Sequence, residues 1–89
     1  MIFKKKGVAL VTGGSGNLGK VISQNLSENY DVIITYNKTK LSKSFMKNLK
    51  GNNNMLYKCN LENEKEIRIL IKKIKKKYKT LDLLINNAS

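Results

Sequence analysis

Histidine is absent from this chain of 89 residues, and cysteine occurs only once, as Cys59. The absence of histidine excludes a histidine general base and removes one of the usual ligands of a zinc site. A single cysteine excludes an internal disulfide framework and offers no metal-binding spacing. The sequence also lacks an apolar run of the roughly 20 residues that a membrane-spanning helix needs. Because no signal-type segment follows the first basic residues, we expect a cytoplasmic protein.

Acidic residues are scarce as well, with 6 Asp and Glu against 18 Lys and Arg and a formal net charge of +12. Such a balance occurs in nucleic-acid-binding proteins. However, Arg68 is the only arginine, whereas nucleic-acid readers favour arginine forks and aromatic stacking. The lysines accompany abundant asparagine and isoleucine, which indicates a coding bias spread over the surface. A basic nucleic-acid-binding module is therefore the least favoured function, and Lys4, Lys5 and Lys6 are interpreted as a solvated lead-in.

A glycine-rich turn between an apolar run and an amphipathic stretch is the most informative feature of the sequence. Residues 7–12 predict a parallel strand that is covered on both faces, because the apolar run does not alternate. A helix over residues 17–29 follows at once. Gly13, Gly16 and Gly19 suit a tight turn, a close backbone approach and the packing of helix on strand. Unpaired N–H groups in the first turn of such a helix can bind the pyrophosphate of a dinucleotide.

Two motifs resemble those of the short-chain dehydrogenase/reductase family. Residues 12–19, Thr-Gly-Gly-Ser-Gly-Asn-Leu-Gly, are similar to the nucleotide loop of the family. Residues 86–89, Asn-Asn-Ala-Ser, are similar to the Asn-Asn-Ala-Gly at the end of its fourth strand. The separation of the motifs leaves room for two strands and two helices, and the resemblance covers essentially the whole chain. It implies a nicotinamide dinucleotide cofactor and hydride transfer with an unknown small carbonyl or alcohol substrate.

The remaining pattern alternates strands and helices. It predicts a strand over residues 31–36, a helix over 40–50, a strand over 55–59, a helix over 63–79 and a fourth strand from residue 81. Right-handed crossovers place the strands in the order 3-2-1-4, which is a partial Rossmann (doubly wound) α/β fold. The first two helices would cover one face and the third only part of the other. We therefore expect an exposed apolar patch over the first two strands and a free edge at the fourth, which would permit self-association.

The resemblance also implies which residues contact the cofactor. These are Gly13, Ser15, Gly16, Asn17, Leu18, Gly19, Tyr36, Asn37, Lys38, Asn60, Leu61, Asn87, Ala88 and Ser89. Asn86 is expected to tie neighbouring strands together. The sequence departs from the family pattern at three of these positions: Asn17 replaces the usual middle glycine, Asn60 an aspartate and Ser89 the last glycine. Asn60 has two open roles, because its amide suits either an adenine amino group or a local cap or turn.

The end of the second predicted strand bears on the choice between NADP and NAD. The acidic residue that would grip the ribose in NAD-preferring relatives is absent near Tyr36, which Asn37 and Lys38 follow. Lys38 would attract a 2′-phosphate, so the sequence favours NADP over NAD. The alternative is that Lys38 is one more surface lysine.

No catalytic residue is predicted within these 89 residues. In the family, the catalytic serine, tyrosine and lysine follow the Asn-Asn-Ala motif, where this sequence ends. Tyr78 and Lys79 are adjacent rather than four apart and precede the fourth strand, so they are not expected to replace that pair. We expect residues 1–89 to be the amino-terminal, dinucleotide-binding part of a longer oxidoreductase fold. The alternative is a non-catalytic remnant that binds a nucleotide or a partner.

Overall fold

The alternation of apolar runs and amphipathic stretches produces an α/β sheet in a computed structural model that describes residues 5–14 and 16–87. Its elements are β1 (Gly7–Thr12), α1 (Asn17–Leu26), β2 (Tyr30–Tyr36), α2 (Lys43–Asn48), β3 (Met55–Lys58), α3 (Glu64–Tyr78) and β4 (Leu83–Asn86). The strands are parallel and lie in the order β3-β2-β1-β4. The predicted fold class and strand order are therefore confirmed.

The helices are shorter than the apolar periodicity predicts, most clearly at α2. This helix begins after Ser42, whose Oγ accepts a hydrogen bond from the Phe45 N–H at 3.1 Å. It ends at Asn48, because the backbone of Leu49 is extended with a ψ of 140°. Leu41 and Leu49 are both buried, although they lie outside the helix. Their spacing predicted a longer helix because a flanking loop residue can fill the core as well as a helical one.

The two central strands, β1 and β2, are buried between two helical layers. On one face, Val11, Val32 and Ile34 pack with apolar side chains of α1 and α2. On the other face, Val8, Leu10 and Ile33 pack with apolar side chains of α3. This two-sided cover explains why the central strands are continuously apolar rather than alternating. Among the described residues, no helix is both long enough and apolar enough to cross a membrane.

The predicted apolar patch over β1 and β2 was wrong. Val8, Leu10 and Ile33 are at most 8% exposed, because α3 crosses the middle of the sheet on its way from β3 at one edge to β4 at the other. Exposed apolar side chains lie instead just before β4 and within it, where Leu81 is 45% and Leu84 57% exposed. β4 pairs with β1 alone in the described part of the chain, so the predicted free edge is present there.

Lys5 is enclosed rather than solvated, which corrects the interpretation of the lysines before β1. Its side chain is 14% exposed. Its Nζ donates to the carbonyls of Ser27 at 2.5 Å, Tyr30 at 2.9 Å and Lys50 at 2.7 Å. Burial lowers the pKa of Lys5, and the Asp31 carboxylate at 4.0 Å acts in the opposite direction. One ammonium group thus joins the end of α1, the start of β2 and the loop after α2.

We predict that Lys5→Met destabilises the fold by about 2 kcal/mol, because three carbonyls lose a charged donor. Lys6→Met is the matched control, since the side chain of Lys6 is exposed, and it should change the free energy of unfolding by less than about 0.5 kcal/mol. Urea unfolding followed by circular dichroism measures both. Equal effects of the two substitutions would show that the carbonyl contacts of Lys5 do not stabilise the chain.

Candidate functional site

The glycine turn after β1 contains close contacts that a side chain at Gly14 or Gly19 would prevent. Gly13 has a φ of 64°, a left-handed conformation that glycine adopts at little cost. The Gly14 N–H donates to the Thr35 carbonyl at 3.1 Å, which attaches the turn to β2. A Cβ on Gly19 would lie 2.6 Å from the Gly14 Cα and 2.7 Å from the Gly13 oxygen. The first turn of α1 therefore packs directly against the backbone of the glycine turn.

The amino terminus of α1 has no side-chain cap among the described residues, whereas side chains cap α2 and α3. Gly16 is its N-cap residue, and no side chain of the described residues caps it. Ser42 and Asn63, by contrast, cap α2 and α3 through their side-chain oxygens. A Cβ on Gly16 would meet nothing within 4 Å, and the first turn of α1 carries no acidic residue. Among the described residues, no side chain thus closes this helix end, which is a condition for anion binding at a helix terminus.

Asn86 and Asn87 connect the end of β4 to the turn. The Asn87 Nδ2 donates to the Gly13 carbonyl at 3.1 Å, and the Asn87 N–H donates to Thr12 Oγ1 at 3.1 Å. Thr12 Oγ1 in turn donates to Asn86 Oδ1 at 3.2 Å. Asn86 therefore does link β4 to β1. The amide of Asn87 fixes the turn, a role that sequence reasoning did not assign to it.

A cleft of about 460 Å³ opens beside the turn, between the loops that follow β2 and β3. It is lined by Gly13, Thr35, Tyr36, Asn37, Lys38, Cys59, Asn60, Leu61 and Glu62. Six of the sequence-predicted residues thus share one cavity at the carboxyl ends of parallel strands. Gly16, Asn17, Leu18 and Gly19 lie instead at the start of α1 and do not line the cleft. Gly13 lines the cleft, and its oxygen lies against Gly19 in the first turn of α1. The cleft and the open helix end therefore adjoin.

Three predicted positions, Ser15, Ala88 and Ser89, lie outside the described residues. Sequence reasoning in turn missed Thr35, Cys59 and Glu62, each of which lines the cleft. All three adjoin predicted residues in the sequence, and this adjacency was the available signal.

Asn60 organises the loop that forms one wall of the cleft. Its Oδ1 accepts from the Glu62 N–H at 3.0 Å, and its carbonyl accepts from the Asn63 N–H at 2.9 Å. Its own N–H donates to Glu66 Oε1 at 3.1 Å, so the first turn of α3 holds the loop. Of the two roles open for Asn60, turn formation is therefore observed. Contact with adenine stays a prediction.

The remaining reactive groups are structural. Cys59 is buried, and burial raises the pKa of its thiol, with the Glu66 carboxylate adding to the effect. The protonated thiol packs with Leu70 and Ile74 of α3. The described residues contain no group of three His, Cys, Asp or Glu side chains placed to hold a metal ion.

Tyr78 anchors α3 to the loop before β3. Its hydroxyl donates to the Asn53 carbonyl at 2.8 Å. Burial raises the pKa of Tyr78, and Tyr57 and Asp31 add to the shift. A catalytic tyrosine needs a lowered pKa to act as a base near neutral pH. The Tyr78 hydroxyl is thus engaged in a structural hydrogen bond, and the expectation that Tyr78 and Lys79 do not replace the catalytic pair stays a prediction.

Residues 7–89 match the family model described as short chain dehydrogenase. The chain is 31% identical to sorbose reductase of Candida albicans, over 98% of this chain and 32% of that protein. It is 31% identical to a 3-oxoacyl-(acyl-carrier-protein) reductase of Staphylococcus aureus, over 90% of this chain and 34% of that protein.

Solved structures agree with these matches. The crystal structure of Cj0485 dehydrogenase has a TM-score of 0.85 at 28% identity, and the match covers 98% of this chain and 34% of that one. A variant of actinorhodin polyketide ketoreductase solved with NADPH has a TM-score of 0.81 at 28% identity, covering 93% and 33%. The chain belongs to the short-chain dehydrogenase family, whose members bind a nicotinamide cofactor. It spans about a quarter to a third of the length of the curated relatives it matches.

We predict that Gly19→Ala lowers the free energy of unfolding by about 2–3 kcal/mol, because the new methyl group would displace the backbone of the glycine turn. Gly16→Ala is the matched control. It should cost less than about 1 kcal/mol, since its Cβ would meet open space. Urea unfolding measures the loss in the free energy of unfolding for each variant. Comparable losses would show that the close approach of α1 to the turn does not support the fold.

Tyr78→Phe should destabilise the chain by about 1 kcal/mol at pH 7, because the Asn53 carbonyl loses its donor. The raised pKa means that the folded state retains the phenolic proton more tightly than the unfolded state does. This stability is fully present below about pH 10 and is lost as the pH rises above that unfolded-state value.

The difference between Tyr78→Phe and the unmodified chain should therefore shrink between pH 9 and pH 11 and then reverse. Urea unfolding at matched ionic strength across this range measures it. Tyr30→Phe is the control, because the Tyr30 hydroxyl makes none of the hydrogen bonds found among the described residues. A constant difference for Tyr78→Phe would contradict the linkage.

Proposed function

We propose that residues 1–89 bind the pyrophosphate and adenosine of a nicotinamide dinucleotide within an oxidoreductase that transfers hydride to or from a carbonyl or alcohol substrate. The observation that carries the proposal is the junction at Gly13. There, an uncapped helix terminus meets a cleft at the carboxyl ends of β2 and β3. Ligands of doubly wound sheets bind at this edge.

The open end of α1 supports a role in pyrophosphate binding. Its first-turn donors would be satisfied by phosphate oxygens, and the helix dipole favours negative charge at the same point. Gly16 would allow the closest approach, because it presents no side chain toward the ligand. Asn17, Leu18 and Gly19 would contribute backbone N–H groups, whatever their side chains. Ser15, Ala88 and Ser89 remain proposed contacts on the resemblance alone.

The cleft supports a role in adenosine binding. Leu61 and Tyr36 are half-buried and offer apolar surface to a purine, and Asn37 and Asn60 offer polar groups beside it. Lys38 is exposed at the mouth of the cleft, where a 2′-phosphate would gain a cation. We therefore propose NADP as the preferred cofactor. When bound in the complete enzyme, the nicotinamide would supply or accept the hydride.

Residues outside these 89 would complete the catalytic site, since the chain spans only part of its relatives. We expect the 89-residue chain to bind a dinucleotide without turning it over. Absorbance at 340 nm would follow NADPH oxidation with a panel of ketones and aldehydes. A rate above that of the protein-free control would contradict the expectation that these 89 residues bind the dinucleotide without catalysing its oxidation.

Lys38→Gln should weaken NADPH binding about three- to fivefold and leave NADH binding nearly unchanged, because an exposed ion pair is lost only with the phosphate. Isothermal titration calorimetry on the 89-residue chain gives both dissociation constants. Lys76→Gln removes the same charge from an exposed position on α3 and should alter neither constant. The preference for NADP is refuted if the unmodified chain binds NADPH no more tightly than NADH.

A further inference from the structure

The cleft is lined by two charged side chains of opposite sign among its described residues. Lys38 enters from the loop after β2, and Glu62 enters from the loop after β3. No acidic residue follows β2 at the cleft, but Glu62 supplies a carboxylate from the neighbouring loop. Glu62 lies 26 residues after Tyr36 in the sequence and reaches the cleft through the pairing of β3 with β2.

Glu62 has a fixed backbone and an uncommitted carboxylate. Its N–H donates to Asn60 Oδ1, and Asn60 is itself held by Asn63 and Glu66 at the start of α3. The carboxylate makes none of the hydrogen bonds or ion pairs found within the described part of the chain, and the residue is exposed. Glu62 therefore brings a negative charge to the rim of the cleft, and no cation of the described residues pairs with it.

We propose that Glu62 is a specificity-determining residue that opposes Lys38 and limits the preference for a 2′-phosphorylated cofactor. This inference rests on the proposed dinucleotide site. A ribose phosphate seated in a cleft of about 460 Å³ would lie within about one Debye length of both side chains, roughly 8 Å at physiological ionic strength. Lys38 attracts the phosphate and Glu62 repels it, so the two contributions partly cancel. The unphosphorylated ribose carries no charge and responds to neither.

The test is Glu62→Gln in the 89-residue chain, with NADPH and NADH as the probes. Removing the carboxylate should tighten NADPH binding about threefold and change NADH binding by less than about 1.5-fold, as expected for an exposed charge in screened solvent. The gain in NADPH affinity should nearly disappear at about 0.5 M salt, because salt screens an interaction that acts through solvent. The double variant with Lys38→Gln should return the NADPH-to-NADH preference close to that of the unmodified chain.

Glu28→Gln is the matched control, because it removes the same charge from an exposed side chain beside Lys50, away from the cleft. It should leave the preference unchanged. The proposal is overturned if Glu62→Gln leaves the preference unchanged, or if the preference rises only because NADH binds more weakly. The second result would mean that Glu62 holds the ribose hydroxyls. If neither dinucleotide binds the unmodified chain, the proposed function fails and this inference fails with it.

Discussion

The fold depends on one close backbone contact, that of Gly19 in the first turn of α1 with the turn formed by Gly13 and Gly14. Because no Cβ intervenes, the helix starts directly against the end of β1. Hydrogen bonds hold the turn from both neighbouring strands, from Gly14 to Thr35 of β2 and from Asn87 after β4 to Gly13. The same contact positions the first turn of α1, which no side chain of the described residues caps. The packing of α1 on the turn and the proposed binding of a ligand would thus depend on the same absence of side chains.

The two ends of the sheet are finished differently. At the amino end, polar side chains close the strand ends: the Asp82 carboxylate accepts from the Val8 N–H at 2.8 Å, and Asn54 Oδ1 accepts from the Val32 N–H at 2.8 Å. Lys5 joins three further carbonyls there. At the carboxyl end, the helix terminus and the cleft stay open. The end at which we propose that the ligand binds is thus opposite the end that Lys5, Asn54 and Asp82 hold together.

Topology was predictable because it follows from patterns that survive in a single sequence. Non-alternating strands require cover on both faces, and right-handed crossovers together with the family resemblance favour the order 3-2-1-4. The glycine turn was predictable because Gly13, Gly16 and Gly19 lie between an apolar run and an amphipathic stretch, and because residues 12–19 resemble the nucleotide loop of the family. Lys5 was not predictable, because nothing in a run of lysines shows which ammonium meets three carbonyls. Glu62 was missed because the resemblance implied only Asn60 and Leu61 from the loop after β3, although the predicted strand order already placed this loop beside that of Lys38.

The central claim is that the glycine turn and the adjoining cleft together receive one dinucleotide. Amide chemical shifts of the ¹⁵N-labelled chain during titration with NADP⁺ test it most directly. The account predicts the largest shifts around Gly13, at residues 16–19, 36–38 and 60–62, with little change near Lys5 at the opposite end of the sheet. Shifts confined to the lysine-rich face of α3, or spread evenly over the surface, would show that the phosphates are attracted only by the net positive charge and would contradict the account.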